Sequence, residues 1–298
     1  MKNKIVFIIN PIAGKGKGRA VAAEIQNFFA AENVEIELYL TEKEGHATEL
    51  TTAALALHPD VIVACGGDGT INEIARQLAG TETALGIIPI GSGNGLAAHL
   101  NIPKKTQDAM RTILNLNSGK IDAGIMNGNY FFSNIGFGID AETIFHYSRK
   151  KKRSFFGYLS AGIKAVVCFQ PKKFKVTVNG FEKSENAYYF LFCSNSNEAG
   201  YGISFSPHAK LNDGKLDLLT IKKLNFIKQL KFSLCVLNKS VEKLREAEIT
   251  RVQSVKLQSG YTRILAQIDG ETVFLNQGDI EISVAPNALK VLIPKLDG

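Results

Sequence analysis

The sequence predicts a two-part chain, an α/β domain on a parallel sheet followed by a mostly antiparallel β domain. Three observations carry this. Over residues 1–125, short apolar runs alternate with segments of helical periodicity. Glycine-rich segments follow three of those runs. Beyond Lys120 the chain changes to strands separated by Asn-Gly and Asp-Gly turns.

Taken in order, Ile5–Ile9 is a continuous apolar run, the pattern of a strand covered on both faces. Residues 20–32 carry helical periodicity, and Val34–Leu40 alternates as a strand. Residues 46–57 read as helix, Val61–Cys65 as a second buried strand, Ile71–Ala79 as helix, Leu85–Ile90 as strand and Thr106–Asn115 as helix. In the second part, strands are expected at Ile121–Met126, Tyr130–Ile135, Phe174–Val178, Tyr188–Cys193, Leu216–Ile221, Val252–Leu257, Ile264–Ile268, Thr272–Leu275 and Ile280–Val284. Many are bounded by Asn127-Gly128, Asn179-Gly180, Asp213-Gly214 or Asp269-Gly270, which favour positive φ. Helices are expected at Gly157–Phe169 and Phe226–Leu237. The pattern is that of an antiparallel sandwich or barrel.

With 298 residues, two cores are affordable in size, and composition is ordinary for a globular protein. The formal charge of +7 fits an anionic partner (nucleotide, membrane surface or nucleic acid) without choosing among them. No motif that reads RNA or DNA accompanies it, so no nucleic-acid partner is expected. Arg149–Arg153 is a run of five basic residues, either a solvated helix end or a patch for anionic headgroups. The cysteines Cys65, Cys168, Cys193 and Cys235 form no CxxC pair, which argues against zinc or a disulfide framework and for reduced thiols. The apolar run after Lys2 and Lys4 is too short for a signal-peptide core, and no stretch reaches the ~20 apolar residues of a membrane span.

In an open parallel sheet, ligands bind beyond the carboxyl ends of the strands. Asn10–Gly18, Gly66–Thr70 and Gly91–Gly95 should therefore converge. Gly66-Gly67-Asp68-Gly69-Thr70 sits between a buried strand and a helix, with Asn72 and Glu73 following. Glycines there let backbone N–H groups approach a phosphate, and the helix N-terminus adds partial positive charge. Asp68 repels phosphate directly, so it fits through a magnesium ion and water. The alternative is a tight turn with Asp68 as helix cap. Asn10-Pro11 with Gly14, Gly16 and Gly18 reads as a second nucleotide loop or a solvated turn, with Lys15 and Lys17 supplying charge. Gly91-Ser92-Gly93-Asn94-Gly95 is a third such loop.

Other nucleotide motifs do not match. There is no GxxxxGK[ST] and no GxGxxG after the first strand. Gly136-Phe137-Gly138 with Ala141 imitates the dinucleotide pattern, but it lies outside the β–α half and lacks an acid ~20 residues on. In the second part, Leu211–Asp217 and Ile268–Glu271 are acidic turns. Each reads as a plain hairpin turn. The other readings are a second magnesium site at Asp213 and a general base at the later turn.

These motifs in this order resemble the diacylglycerol kinase catalytic-domain family, in its bacterial soluble branch related to sphingosine and ceramide kinases. Gly66–Thr70 with Asn72 and Glu73 matches its signature. Asn10-Pro11 with Gly14, Pro89–Asn94, Asn134–Gly138, Asn212–Leu216 and Asp269–Glu271 follow in the family's order. The resemblance covers essentially the whole chain. It implies an α/β domain similar to those of NAD kinase and phosphofructokinase (residues 1–125, rejoined by about 288–298) and a β-sandwich lipid or substrate domain over 126–287.

The resemblance further implies an ATP- and Mg2+-dependent lipid kinase. Asn10, Pro11, Gly14, Thr41, Gly66, Gly67, Asp68, Gly69, Thr70, Ile71, Asn72, Ser92, Gly93 and Asn94 would surround ATP, with Asp68 holding the catalytic magnesium through water. Asp213, with the carbonyls of Lys210 and Lys215, would bind a structural magnesium. Asp269 or Glu271 would be the general base, and Asp140 falls near the position where sphingosine kinases hold the lipid head group. One departure leaves the acceptor open among diacylglycerol, phosphatidylglycerol and sphingoid-type lipids. Many bacterial members carry an acid after the Asn of the third loop, whereas Gly95-Leu96-Ala97 here looks more like sphingoid-base kinases. Reduced thiols fit a cytoplasmic protein, and an enzyme that acts on lipid without a membrane span would contact the membrane peripherally, with a dimer left open. NAD kinase, which shares the Gly-Gly-Asp-Gly motif, and a non-catalytic lipid- or nucleotide-binding protein are the rival readings.

Overall fold

The structure, a computed structural model, describes residues 2–149, 157, 160–162, 164–165, 169–198, 203–222 and 224–295. The chain forms two compact units, Met1–Ile121 with Asn287–Gly298, and Asp122–Pro286. It passes from the first to the second within one strand, Ser118–Met126, and returns within another, Asp279–Leu292.

In the first unit, β1 (Asn3–Ile9), β2 (Val34–Leu40), β3 (Val61–Gly66) and β4 (Ala84–Pro89) form a parallel sheet in the order β4-β3-β1-β2. Ile5 to Ile9 are fully buried, which explains the unbroken apolar run: a parallel strand covered on both faces has no solvent side. Helix Gly18–Phe29 buries Val21, Ile25 and Phe29, a repeat of four that makes one face. The Phe29 ring lies 5.3 Å from that of Phe7. Helix Asp68–Leu78 buries Ile71, Ile74, Ala75 and Leu78 in the same way. The last segment of the chain docks on this unit. Val291 pairs in parallel with Leu85, the Gly80 N–H donates to the Ala288 carbonyl at 2.8 Å, and the Ile293 N–H to Asn117 at 2.9 Å.

The second unit is built on antiparallel pairs. With β5 (Ser118–Met126), β6 (Asn129–Phe131), β7 (Asn134–Gly138), β8 (Lys172–Val178), β9 (Phe181–Ser194), β10 (Leu216–Lys222), β11 (Ala247–Val252), β12 (Ser254–Gln258), β13 (Ile264–Ile268), β14 (Glu271–Leu275) and β15 (Asp279–Leu292), the strand path runs β14-β13-β7-β9-β8-β12-β15. β10 pairs with β9 and β11. β9 separates two cores. Tyr188, Leu191 and Cys193 face one that contains Phe137, Val255 and Ile282. Tyr189, Phe190 and Phe192 face the other, with Phe205, Leu219 and Phe232. Burial on both faces accounts for the solid apolar run Tyr188–Cys193.

Several local expectations are corrected. Tyr130–Ile135 is not one strand: β6 ends at Phe131 and β7 begins at Asn134. Val252–Leu257 is likewise two strands broken at Gln253, where the Asn179 side chain accepts from the Gln253 and Ser254 N–H groups at 2.9 and 3.0 Å. The helix expected from Ile71 begins at Asp68. An unforeseen helix, Ile139–Ser148, follows β7 directly, so Gly136-Phe137-Gly138 is the end of a strand that runs into a helix, though in an antiparallel unit. Much of the helix expected at Gly157–Phe169, together with Cys168 and Lys150–Arg153, lies outside the described residues. Cys65, Cys193 and Cys235 are free thiols. Among the described residues, no helix is long and apolar enough to cross a membrane.

Candidate active site

Three loops meet at the carboxyl ends of the parallel strands. After β1, the Asn10 N–H donates to the Cys65 carbonyl at 2.9 Å, and its side-chain amide donates to Thr70 Oγ1 at 3.3 Å. The Asn10 Oδ1 in turn accepts the Ile12 N–H at 3.1 Å, which turns the chain around Pro11. After β4, the N–H groups of Ile90 and Gly91 both donate to the Gly66 carbonyl, at 2.8 and 3.1 Å. Backbone meets backbone here. A Cβ on Gly91 would stand 2.5 Å from Gly67 Cα, and one on Gly14, whose φ is +60°, would stand 2.6 Å from the Ile90 carbonyl oxygen. Thr41, at the end of β2, donates its N–H to the Ile9 carbonyl at 2.9 Å.

Asp68 is the hub of these loops. Its Oδ2 accepts the Asn94 N–H and its Oδ1 the Gly95 N–H, each at 2.7 Å. It opens the helix Asp68–Leu78 and caps a different one, Gly95–His99. Burial pushes the Asp68 carboxyl above its ordinary range, and the two N–H donors pull against that rise. Glu73, one turn further on, accepts the N–H groups of Gly45 and Thr48 at 3.2 and 3.3 Å, fixing the start of helix His46–Leu55.

The second unit holds its own constellation. Asp269 is 7% exposed with φ +50°, and it accepts three backbone N–H groups. Ser133 and Asn134 donate to Oδ1 at 2.7 and 3.0 Å, and Phe132 donates to Oδ2 at 3.0 Å. This carboxylate makes the break between β6 and β7. Gln267 Nε2 donates to Asn134 Oδ1 at 2.8 Å, while its Oε1 accepts the Gly270 N–H at 2.8 Å. Asp140, on the buried face of helix Ile139–Ser148, packs against Gly136, where a Cβ would fall 2.0 Å from its Oδ2. That oxygen has no hydrogen-bond partner. Burial raises the Asp140 carboxyl to about 7, opposed by a hydrogen bond with Gln267. Glu271, two residues past Asp269, is exposed.

At the other acidic turn, Asp213 Oδ1 accepts the Lys215 N–H at 3.1 Å, and the buried Asp122 accepts the Gly214 N–H at 2.7 Å. Burial raises the nearby Asp217 carboxyl, with Arg251 opposing. Lys210 and Lys215 flank the turn.

The residues read as nucleotide ligands thus fall in the first unit: Asn10, Pro11 and Gly14 in one loop, Gly66–Asn72 in the second, Ser92, Gly93 and Asn94 in the third, with Thr41 beside the first through Ile9. Asp140, Lys210, Asp213, Lys215, Asp269 and Glu271 fall in the second unit. The reading missed Gln267, Asp122 and the structural part of Glu73. Gln267 and Asp122 sit inside apolar strands, where a lone buried polar side chain is the signal that marks a hydrogen-bonding role.

Among the described residues, no three His, Cys, Asp or Glu side chains come together as a metal cage. Magnesium does not require one, because it is commonly held by one or two carboxylates, water and substrate phosphates. The Asp68 carboxylate, with acceptor capacity beyond its two N–H bonds, fits that pattern.

Comparison with known proteins adds independent findings. The family described as "Diacylglycerol kinase catalytic domain" matches residues 4–126, and "YegS C-terminal NAD kinase beta sandwich-like domain" matches residues 133–293. The diacylglycerol kinase of Bacillus subtilis (strain 168) is 30% identical over 224 residues, covering 74% of this chain and 74% of that protein. A crystal structure of a diacylglycerol kinase from Bacillus anthracis str. Sterne superposes with a TM-score of 0.73 at 20% identity, over 98% of this chain and 97% of that one. Yeast NADH kinase complexed with NADH gives a TM-score of 0.57 at 9% identity, over 99% of this chain and 84% of that one. At these identities both structures establish the fold alone.

Proposed function

Because the chain belongs to the diacylglycerol kinase catalytic-domain family and is a lipid kinase of that family, we propose that it transfers the γ-phosphoryl group of ATP to a hydroxyl of a membrane lipid, with magnesium. The observation that carries the donor side is the knot of three glycine-rich loops around Asp68. Backbone packs on backbone at Gly67, Gly91 and Gly14, so these loops meet without side chains between them, and glycine backbone is what lets N–H groups approach a phosphate closely. N–H groups at the start of helix Asp68–Leu78 and in the left-handed turn at Gly14 and Lys15 would be the donors to phosphate oxygens.

Magnesium, when bound, supplies neutralisation of the phosphate charge, and Asp68 is the residue that would hold it, through water. Asn10, Thr41, Thr70, Asn72 and Ser92 orient the nucleotide. In the transfer, the lipid oxygen forms a bond to the γ-phosphorus as the bond to the β,γ-bridging oxygen breaks. ADP leaves, and the hydroxyl proton passes to a carboxylate.

Glu271 is the better candidate for that proton. Asp269 already binds three N–H groups and shapes the turn, whereas Glu271 is exposed beside it. Asp140 is assigned to the lipid head group. Asp213, with the carbonyls of Lys210 and Lys215, is assigned to a structural magnesium. The enzyme works at a membrane surface from the cytoplasm, and Arg149 belongs to the basic run expected near the headgroups.

Diacylglycerol is the first acceptor to test, since the Bacillus subtilis relative carries that name. The experiment is transfer from γ-labelled ATP, with magnesium, to diacylglycerol, phosphatidylglycerol, sphingosine, ceramide and undecaprenol in mixed micelles. Label in one lipid supports the reading, and label in none of them contradicts it.

A further inference from the structure

Helix Phe226–Leu237 presents its apolar residues to solvent. Phe226 is 74% exposed, Ile227 77%, Leu230 59% and Leu234 54%. At ~100° per residue these four fall on one arc of about 100°. A surface helix ordinarily turns such a stripe inward, and an exposed stripe of this kind is an interaction signal. The inward face is made by Phe232, whose ring stands 5.9 Å from Tyr189 and 5.4 Å from Phe190. The outward stripe is therefore not a core face that failed to dock. The helix start is fixed by Asn225, whose side chain accepts the Lys228 N–H at 3.0 Å.

Along the sequence this stretch carries charge of one sign, with Glu246 facing its lysines from a neighbouring segment. The helix contains Lys228 and Lys231 and no acid, and the whole span from Ile221 to Ser240 contains none. Lys222 and Lys231 are exposed and form no ion pair among the described residues, while Lys228 lies on the far side of the helix from the stripe and pairs with Glu246 at 2.8 Å.

We propose that this helix is a membrane-docking element, its Phe226–Ile227–Leu230–Leu234 stripe entering the headgroup boundary of an anionic bilayer while Lys231, on the stripe's border, and Lys222 contact the phosphates. An in-plane helix with an apolar face and lysines along its border binds by buried apolar area plus attraction to anionic lipid. Lysine stems let the ammonium groups reach the headgroups. A second copy of the chain fits less well, because pairing two such faces sets the same lysines against each other on a chain of net charge +7. The assignment rests on the lipid-kinase reading only in that such an enzyme must visit a membrane.

The test reads binding without ATP or turnover, so its failure is separable from failure of the kinase reading. The chain has no tryptophan, so Leu230→Trp introduces a single tryptophan, which can be excited apart from the tyrosines. Its emission should shift to the blue on addition of phosphatidylcholine vesicles containing phosphatidylglycerol, and far less with pure phosphatidylcholine. Phe181→Trp, on an exposed strand residue elsewhere in the unit, should not shift. The triple variant Ile227→Gln, Leu230→Gln, Leu234→Gln should co-sediment with the anionic vesicles about tenfold less than the parent. It should keep the parent's circular dichroism spectrum and its activity on short-chain lipid dispersed in detergent. No binding by the parent, or equal sedimentation of parent and triple variant, overturns the proposal. So does a blue shift that appears without vesicles and grows with protein concentration, which would make a second copy the occupant.

Discussion

The Asp68 carboxylate holds the backbone N–H of Asn94 at 2.7 Å, from a loop 26 residues further along the chain. Its other oxygen holds Gly95 equally closely. One side chain therefore organises two of the three loops, and it is the carboxylate proposed above to hold a phosphate-bound metal. Asp68→Ala should lower turnover by at least about a hundredfold. It should also lower stability by about 1–3 kcal/mol, because two N–H groups in a buried site lose their acceptor. Steady-state kinetics and denaturant unfolding on the same preparation check both. Parent-like activity in Asp68→Ala would remove the site assignment.

The hairpin at Asp269–Glu271 allows a separation of roles. Asp269→Asn replaces an acceptor oxygen with an N–H2 group facing backbone donors, so it should destabilise by about 2–3 kcal/mol. Glu271→Gln should leave the unfolding midpoint nearly unchanged and cut kcat by about a hundredfold or more. Normal kcat in Glu271→Gln would return the base to Asp269 or elsewhere.

Asp140 predicts a pH dependence of stability. Its carboxyl is raised from 3.8 to about 7 in the folded chain by burial, so the folded state binds the proton more tightly than the unfolded state. The resulting stabilisation is fully present below pH 3.8 and is lost as pH rises toward 7, by an amount of order 4 kcal/mol. Asp140→Asn should flatten that decline. Urea unfolding of both proteins at pH 5 and pH 8 measures it, and parallel slopes would contradict the raised value.

Gly91→Ala tests the crowding of the loops. Its Cβ would lie 2.5 Å from Gly67 Cα, a backbone atom with no rotamer to yield. The variant should weaken ATP binding at least about tenfold and lower the melting temperature by several degrees. Calorimetry with ATP and magnesium reads the first quantity, and a parent-like dissociation constant would show the loops to be looser than the contacts imply.

The parallel half of the fold was legible because its signals are local. Ile5–Ile9 and Val61–Cys65 are unbroken apolar runs, and the glycines that follow them mark the loops without reference to anything distant. Where the expected strands break, the cause is a partner far along the chain. Nothing in Phe131-Phe132-Ser133-Asn134 announces a break, since the carboxylate that makes it belongs to Asp269, 136 residues from Ser133. Asp68 could be read as a metal carboxylate or a helix cap from its neighbours, but not as the cap of a helix beginning at Gly95. Helix Ile139–Ser148 was missed for another reason. Its buried face carries Asp140 and Thr143 beside Ile139, Ala141, Ile144 and Tyr147, so polar residues interrupt the apolar period. That burial of a carboxyl in a helix face is also what raises its pKa, so the residue that hid the helix is one whose chemistry the fold perturbs.

The most direct test sets lipid and soluble acceptors against each other in one tube. Parent enzyme, γ-labelled ATP and magnesium are incubated with diacylglycerol micelles and NAD together, and the label is counted after organic extraction. The account predicts label in the organic phase, in phosphorylated lipid, and its loss in Asp68→Ala. Label confined to NAD in the aqueous phase would contradict it.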